Sequence, residues 1–115
     1  ANAASRFLLF GDLAQTLLSG TDLRDKERSR ALRDLAPYTL EVDEAPGLAV
    51  RLVREAVQLV PRDLDVRMEL AYHLARAGRD RAALAELDRI RREDTLARKV
   101  YTRRQLAFAI RTGRV

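Results

Sequence analysis

A chain of 115 residues is long enough for one domain with its own core and too short for two of ordinary size. Apolar residues make up 47%, but aromatics are only 5% and Trp is absent, so Leu, Val and Ala must build the core, which favours close-packed helices over a sheet. The absence of Cys excludes disulfides and thiolate chemistry, a single His argues against an all-protein zinc site, and a formal charge of +5 points toward acidic partners or nucleic acid.

The opening "ANAASRFLLF" has no basic region before its short apolar run, so no secretory signal is expected and the cytoplasm is the expected location. No run of about 18 apolar residues occurs, so no membrane span is expected. Ser5 can cap a first helix, in which Phe7, Phe10, Ala14, Leu17 and Leu18 recur at three- and four-residue spacing until Ser19 and Gly20 end it. Asp22 restarts a helix that is charged through "RDKERSR" and apolar only at Leu32, Leu35 and Ala36. Pro37 is expected to stop or kink it, because the ring removes a donor and crowds the preceding turn. In "YTLEVDEAPG" the residues Tyr38, Leu40 and Val42 alternate with polar ones, as in a strand. No second strand-like run exists to pair with it, so an extended connector or a short irregular helix is expected there.

From Ala45 onward the helical signals sharpen. Pro46 suits a first helical turn, and Leu48, Leu52, Val53, Ala56, Val57 and Val60 form an apolar stripe that ends at Pro61. Asp63 or Asp65 can cap the next helix, which runs through Leu70, Ala71 and Leu74 to Gly78. Asp80 is expected to cap a fifth helix with Ala83, Leu84, Leu87 and Ile90 on one side. Asp94 or Thr95 opens a sixth, with Leu96, Val100, Ala107 and Ile110 on one stripe until Gly113. The short connectors imply that neighbouring helices pack antiparallel.

The positive charge is concentrated at one end. Residues 89–115 hold nine basic side chains against Glu93 and Asp94, a surplus of seven, so the remaining 88 residues carry a deficit of two. Such a segment suits an acidic partner, a nucleic acid or an anionic surface, and equally a solvated helix face in an Arg-rich chain.

The stretch "EAVQLVPRD", followed by "RMELAYHLARAGRDRAALAELDRI", resembles the tetratricopeptide repeat, a helical hairpin of about 34 residues. With Leu64 as the first position, Leu70 and Ala71 fall on the family's Leu-Gly/Ala pair, Leu74 on its aromatic position, Gly78 at its turn, Ala83 on the small residue of its second helix and Leu87 on the large one. One period earlier, Ala49, Val53, Ala56 and Pro61 fall on the small, large, small and proline positions. "YTRRQLAFAIRTGR" echoes "RMELAYHLARAGR" and begins a third hairpin. Thr95 stands where a second proline belongs, Ile90 replaces a small residue, and Pro37 takes a close-contact position in the preceding repeat. The resemblance implies an all-α fold of stacked antiparallel helical hairpins, a fragment of a right-handed solenoid with five to six helices. It implies a single domain with irregular N-terminal helices over 1–44 and hairpins over 45–115.

On that resemblance, the first helices of successive hairpins line a groove into which Asp65, Met68, Tyr72 and Arg76 project. Met68 and Tyr72, at i, i+4 spacing, serve equally well as core positions. Lys99 and Arg103 in the last helix resemble part of a carboxylate clamp, but Met68 and Tyr72 stand where its Lys and Asn belong. Arg103 and Arg104 interrupt the apolar stripe of that helix, so their heads lie at the core edge or face an acidic partner. Phe7, Leu8 and Phe10 offer a strip for self-association. His73, mid-helix beside Tyr72, is expected to be partly exposed at the edge of the packing face, with Glu69 one turn before it. No Ser or Cys nucleophile, phosphate loop, triad or paired carboxylate accompanies it, so no catalytic role and no cofactor is expected. The expected function is a non-catalytic module that binds a peptide or partner helix in a helical groove. The alternative is binding of nucleic acid or an acidic partner through the Arg-rich C-terminal helix.

Overall fold

A computed structural model of the chain describes residues 10–20 and 22–93. Among them are five α-helices and no strand: α1 (Gly11–Ser19), α2 (Asp25–Glu41), α3 (Pro46–Leu59), α4 (Leu64–Arg76) and α5 (Asp80–Glu93). None of these is long and apolar enough to cross a membrane. The chain divides into two compact units, Ala1–Arg62 and Asp63–Val115.

In the first unit α1, α2 and α3 pack as antiparallel neighbours. α1 ends where expected, at Gly20, whose φ of 113° is open to glycine and costly for other residues. Its last carbonyls are taken by a side chain from the next helix. Arg28 Nε and Nη2 donate to the Leu17 carbonyl at 2.9 and 2.7 Å, and Nη2 also reaches the Leu18 carbonyl at 3.1 Å. The same guanidinium stands 3.4 Å from Glu55 on α3, so one side chain holds three helices. A cation at the C-terminal end of α1 also meets the negative end of that helix's dipole. At the other end of α1, the Phe10 N–H donates to the buried Asp43 carboxylate at 2.9 Å, where the dipole favours an anion.

α2 begins at Asp25, three residues later than expected, after an extended Arg24 and with no side-chain cap; Asp25 and Glu27 complement the dipole in its first turn. It also runs through Pro37 to Glu41, against the expected break. The burial pattern supplies the reason: Leu32, Leu35, Ala36, Thr39 and Leu40 form one stripe at helical spacing, and ending the helix at Pro37 would expose its last turn. Thr39 Oγ1 donates to the Ala36 carbonyl at 2.8 Å, which satisfies that fully buried hydroxyl. The strand-like alternation of Tyr38, Leu40 and Val42 is incidental, since Leu40 is buried while Tyr38 and Val42 are exposed. The close is made by Glu44, which takes φ 51° without being glycine, with the Ala45 N–H bonded to the Thr39 carbonyl at 2.9 Å.

Small residues set the spacing of α2 and α3. Ser29, 2% exposed, donates its hydroxyl to the Ala56 carbonyl at 3.1 Å, which brings the two helix backbones close. Stepping one turn at a time from that bond brings Leu32 level with Val53 and Ala36 level with Ala49, all buried. α3 starts with Pro46 at its first turn, as expected.

The second unit holds the α4–α5 hairpin. Asp63 caps α4, its carboxylate accepting from the N–H groups of Asp65 and Val66 at 3.0 and 3.3 Å. α4 ends in a Schellman turn: Gly78 sits at φ 79°, its N–H bonds the Ala75 carbonyl at 2.9 Å, and the Arg79 N–H bonds the Leu74 carbonyl at 2.8 Å. Asp80 is the first residue of α5, one place inside the expected cap. Val66, Leu70, Ala71 and Leu74 are buried on α4, and Ala83, Leu87 and Ile90 on α5. Leu64 and Met68 pack against Ile90, so the start of α4 lies beside the end of α5, antiparallel.

Candidate interaction surface

α4 presents two faces, and the expected groove residues divide between them. Met68 is half-buried and packs on Ile90, so it belongs to the hairpin's own core. Asp65 and Arg76 are exposed, and Tyr72 is half-buried between them in sequence and along the helix. Arg76, one turn after Tyr72, donates from Nη1 to the Tyr72 hydroxyl at 2.7 Å, and its guanidinium carbon lies 5.7 Å from the ring centroid. The pair therefore holds a planar cation and an aromatic ring in a fixed relation at the C-terminal end of α4. Lys99, Arg103 and Arg104 lie outside the described residues, as do Phe7 and Leu8. Phe10 is described: it is half-buried, with its ring 5.1 Å from that of Tyr38.

His73 departs from expectation. It is 4% exposed, not partly exposed, and its ring meets Tyr72 edge to face at 5.2 Å. The reason lies in its register. His73 follows Leu70 by three residues and Val66 by seven, which places it on the buried face of α4.

A buried ion-pair network was passed over by pattern reading. Arg67 is 6% exposed, bonded through Nε to Glu86 at 3.3 Å and through Nη1 to Glu93, both on α5. Arg89 approaches the other Glu86 oxygen at 3.4 Å. Burial works against the charge on Arg67, but the hydrogen bonds and charges of Glu93 and Glu86 outweigh it and hold the guanidinium above its ordinary value. The hydrogen bond from Arg67 holds the Glu93 carboxyl below its ordinary value, against a smaller effect of burial and with help from the charges of Arg67, Arg89 and Arg92. A signal for this network was present in the sequence. Arg67 shares a helical stripe with Leu70, Ala71 and Leu74, and Glu86 stands among Ala83, Leu87 and Ile90, so opposite charges occupy two stripes that must face each other.

Chemically, the Arg67 network is a clasp between α4 and α5, and Tyr72 with Arg76 presents a ring and a planar cation able to stack on a flat group and to bond a carboxylate. The chain matches no family model, no curated protein and no solved structure.

Proposed function

We propose that the chain is a non-catalytic protein-interaction module of tetratricopeptide-like stacked hairpins, and that it binds a peptide or partner helix against the outer face of α4. The observation that carries this reading is the Tyr72–Arg76 pair. It is ordered by an internal hydrogen bond and a ring contact before any partner arrives, so less freedom is lost on binding. It also stands on a helix fixed at both ends, by the Asp63 cap and the Gly78 turn. Tyr and Arg are the side chains most often found to dominate interface energetics. The hairpin resemblance is supported by Gly78 at the left-handed turn and by the small buried residues Ala71 and Ala83. Besides Thr95, Ile90 and Pro37, a further position departs from it: where the repeat carries Trp three residues before its Leu-Gly pair, this chain has Arg67, and an ion-paired clasp takes the place of a large ring.

The test is capture of binding partners on the immobilised full chain, with Tyr72→Ala and Arg76→Ala compared with wild type. Loss of the same protein from both variants, each retaining wild-type helicity, supports the α4 face. Unchanged recovery rejects it. A parallel salt series against mixed-sequence DNA and RNA separates the competing reading, in which the basic segment binds nucleic acid. There the affinity falls by about one logarithmic unit per tenfold salt for each phosphate neutralised, whereas groove recognition weakens only modestly.

A further inference from the structure

The four large apolar side chains that stand exposed among the described residues all lie in the first unit, and three of them gather at one corner of it. Tyr38 and Val42, one turn apart on α2, are 53% and 49% exposed, and Leu13 on α1 is 52% exposed. Phe10 joins them, since its ring stacks at a tilt on Tyr38, 5.1 Å between centroids, and Leu13 follows it by one helical turn. The stretch that carries Tyr38 and Val42 is acidic: residues 34–50 contain Asp34, Glu41, Asp43 and Glu44 and no Lys or Arg, in a protein with 22 basic residues, and all of these carboxylates but the buried Asp43 are exposed. Asp34 is exposed one turn before Tyr38, and α1 adds the exposed Asp12 beside Leu13.

The complementary chemistry is carried by the chain itself. Residues 95–115 hold six basic side chains and no acidic one, interleaved with Leu96, Val100, Leu106, Phe108 and Ile110. We infer that the apolar, acid-rimmed corner formed by Phe10, Leu13, Tyr38 and Val42 receives segment 95–115 of a second copy, so that chains associate head to tail. Pairing of two such corners with each other would set carboxylates against carboxylates, which is unfavourable. Pairing of unlike ends sets the stretch without basic residues against the stretch without acidic ones. Apolar burial and the opposite charges together supply the attraction, and the charges also reject the symmetric arrangement. An interface between different patches closes at two copies only if each segment reaches the other copy's corner, and otherwise association continues with concentration.

The experiment is sedimentation of the full chain at rising concentration in low and high salt, with two variants. One is broken at the corner, Asp34→Lys with Tyr38→Lys, at exposed positions. The other is broken at the basic segment, Arg103→Glu with Arg104→Glu. Helix content is checked first by circular dichroism, and Tyr38→Ser or Arg103→Gln replaces a variant that loses it. Wild type is expected to rise in mass from 13.0 kDa to dimers or larger species in low salt, and to return toward monomer when salt screens the charges. Each variant alone stays monomeric. Their equimolar mixture restores association but stops at two chains, because only one working corner and one working segment remain. A wild type that is monomeric at about 100 μM, the range of weak interfaces, overturns the inference, as does a mixture that stays monomeric or a variant that associates like wild type.

Discussion

Arg67 sits on a buried stripe between two carboxylates, and the stability it contributes depends on all three groups being present. Removing one member of a buried pair leaves the other without its compensation, whereas replacing both with apolar groups of similar shape is nearly neutral. Arg67→Met is therefore expected to lower stability by about 3 kcal/mol, and adding Glu86→Leu to recover most of that loss, read from urea midpoints at constant slope. Glu93 makes the same clasp sensitive to acid. Its folded-state value lies below the ordinary 4.5, so its contribution is complete above 4.5 and is lost as pH falls through the lowered value. The Glu93→Gln variant is expected to lose that part of the acid limb while keeping the neutral-pH helix content, as a pH titration of thermal midpoints will show. At this scale the sequence was partly legible. Asp63, Gly20 and Gly78 announce their roles because a capping carboxylate and a left-handed turn need particular residue types. Arg67 and His73 do not, because their types suggest solvent while their registers place them inside.

At the scale of elements, α3, α4 and α5 were readable because each carries an apolar stripe at helical spacing between turn-forming residues, with a capping carboxylate as well at α4. α2 was not, since two local rules point the wrong way. Pro37 predicts a break that tertiary burial of Thr39 and Leu40 overrides, and no Gly marks the true end, where Glu44 adopts the conformation that glycine would take. Pro37 cannot donate to the carbonyl one turn back, so α2 lacks a hydrogen bond in mid-helix. Pro37→Ala supplies that donor, and the expected result is a gain of about 1–3 kcal/mol in stability, measured by thermal or urea unfolding. The turn after α4 predicts the opposite sign. Gly78→Ala forces a Cβ into the left-handed region, and although no atom lies within 4 Å of that Cβ, a loss of about 1 kcal/mol is expected. The helix–helix spacing of α2 and α3 gives a packing counterpart. Ala36→Leu inserts bulk level with Ala49 and is expected to cost about 1–3 kcal/mol, with the same readout.

For the molecule as a whole, charge follows the division into units. Residues 1–62 carry nine basic and nine acidic side chains, and residues 63–115 carry thirteen and eight, so the net charge resides entirely in the second unit. Binding to any polyanion should then depend on the second unit alone. If DNA binding is detected, Arg103→Gln with Arg104→Gln is expected to reduce its logarithmic salt slope by about two, whereas changing Arg51 and Arg54 on α3 to Gln leaves the slope unchanged. The all-helical class was legible from composition, because few aromatics and many Leu and Ala leave little else to build with. The candidate surfaces were less so, because the exposure of Tyr38 and the packing of Met68 on Ile90 depend on neighbours distant in sequence. The grip of Arg28 on α1 carries a last implication. Its acceptors there are main-chain oxygens, which every amino acid brings, so the lock reads where the helix stops and is indifferent to what it spells. The solvent side of α1, at Gln15 and Thr16, is thus free to drift over evolution or be rewritten by an engineer, provided its length is kept.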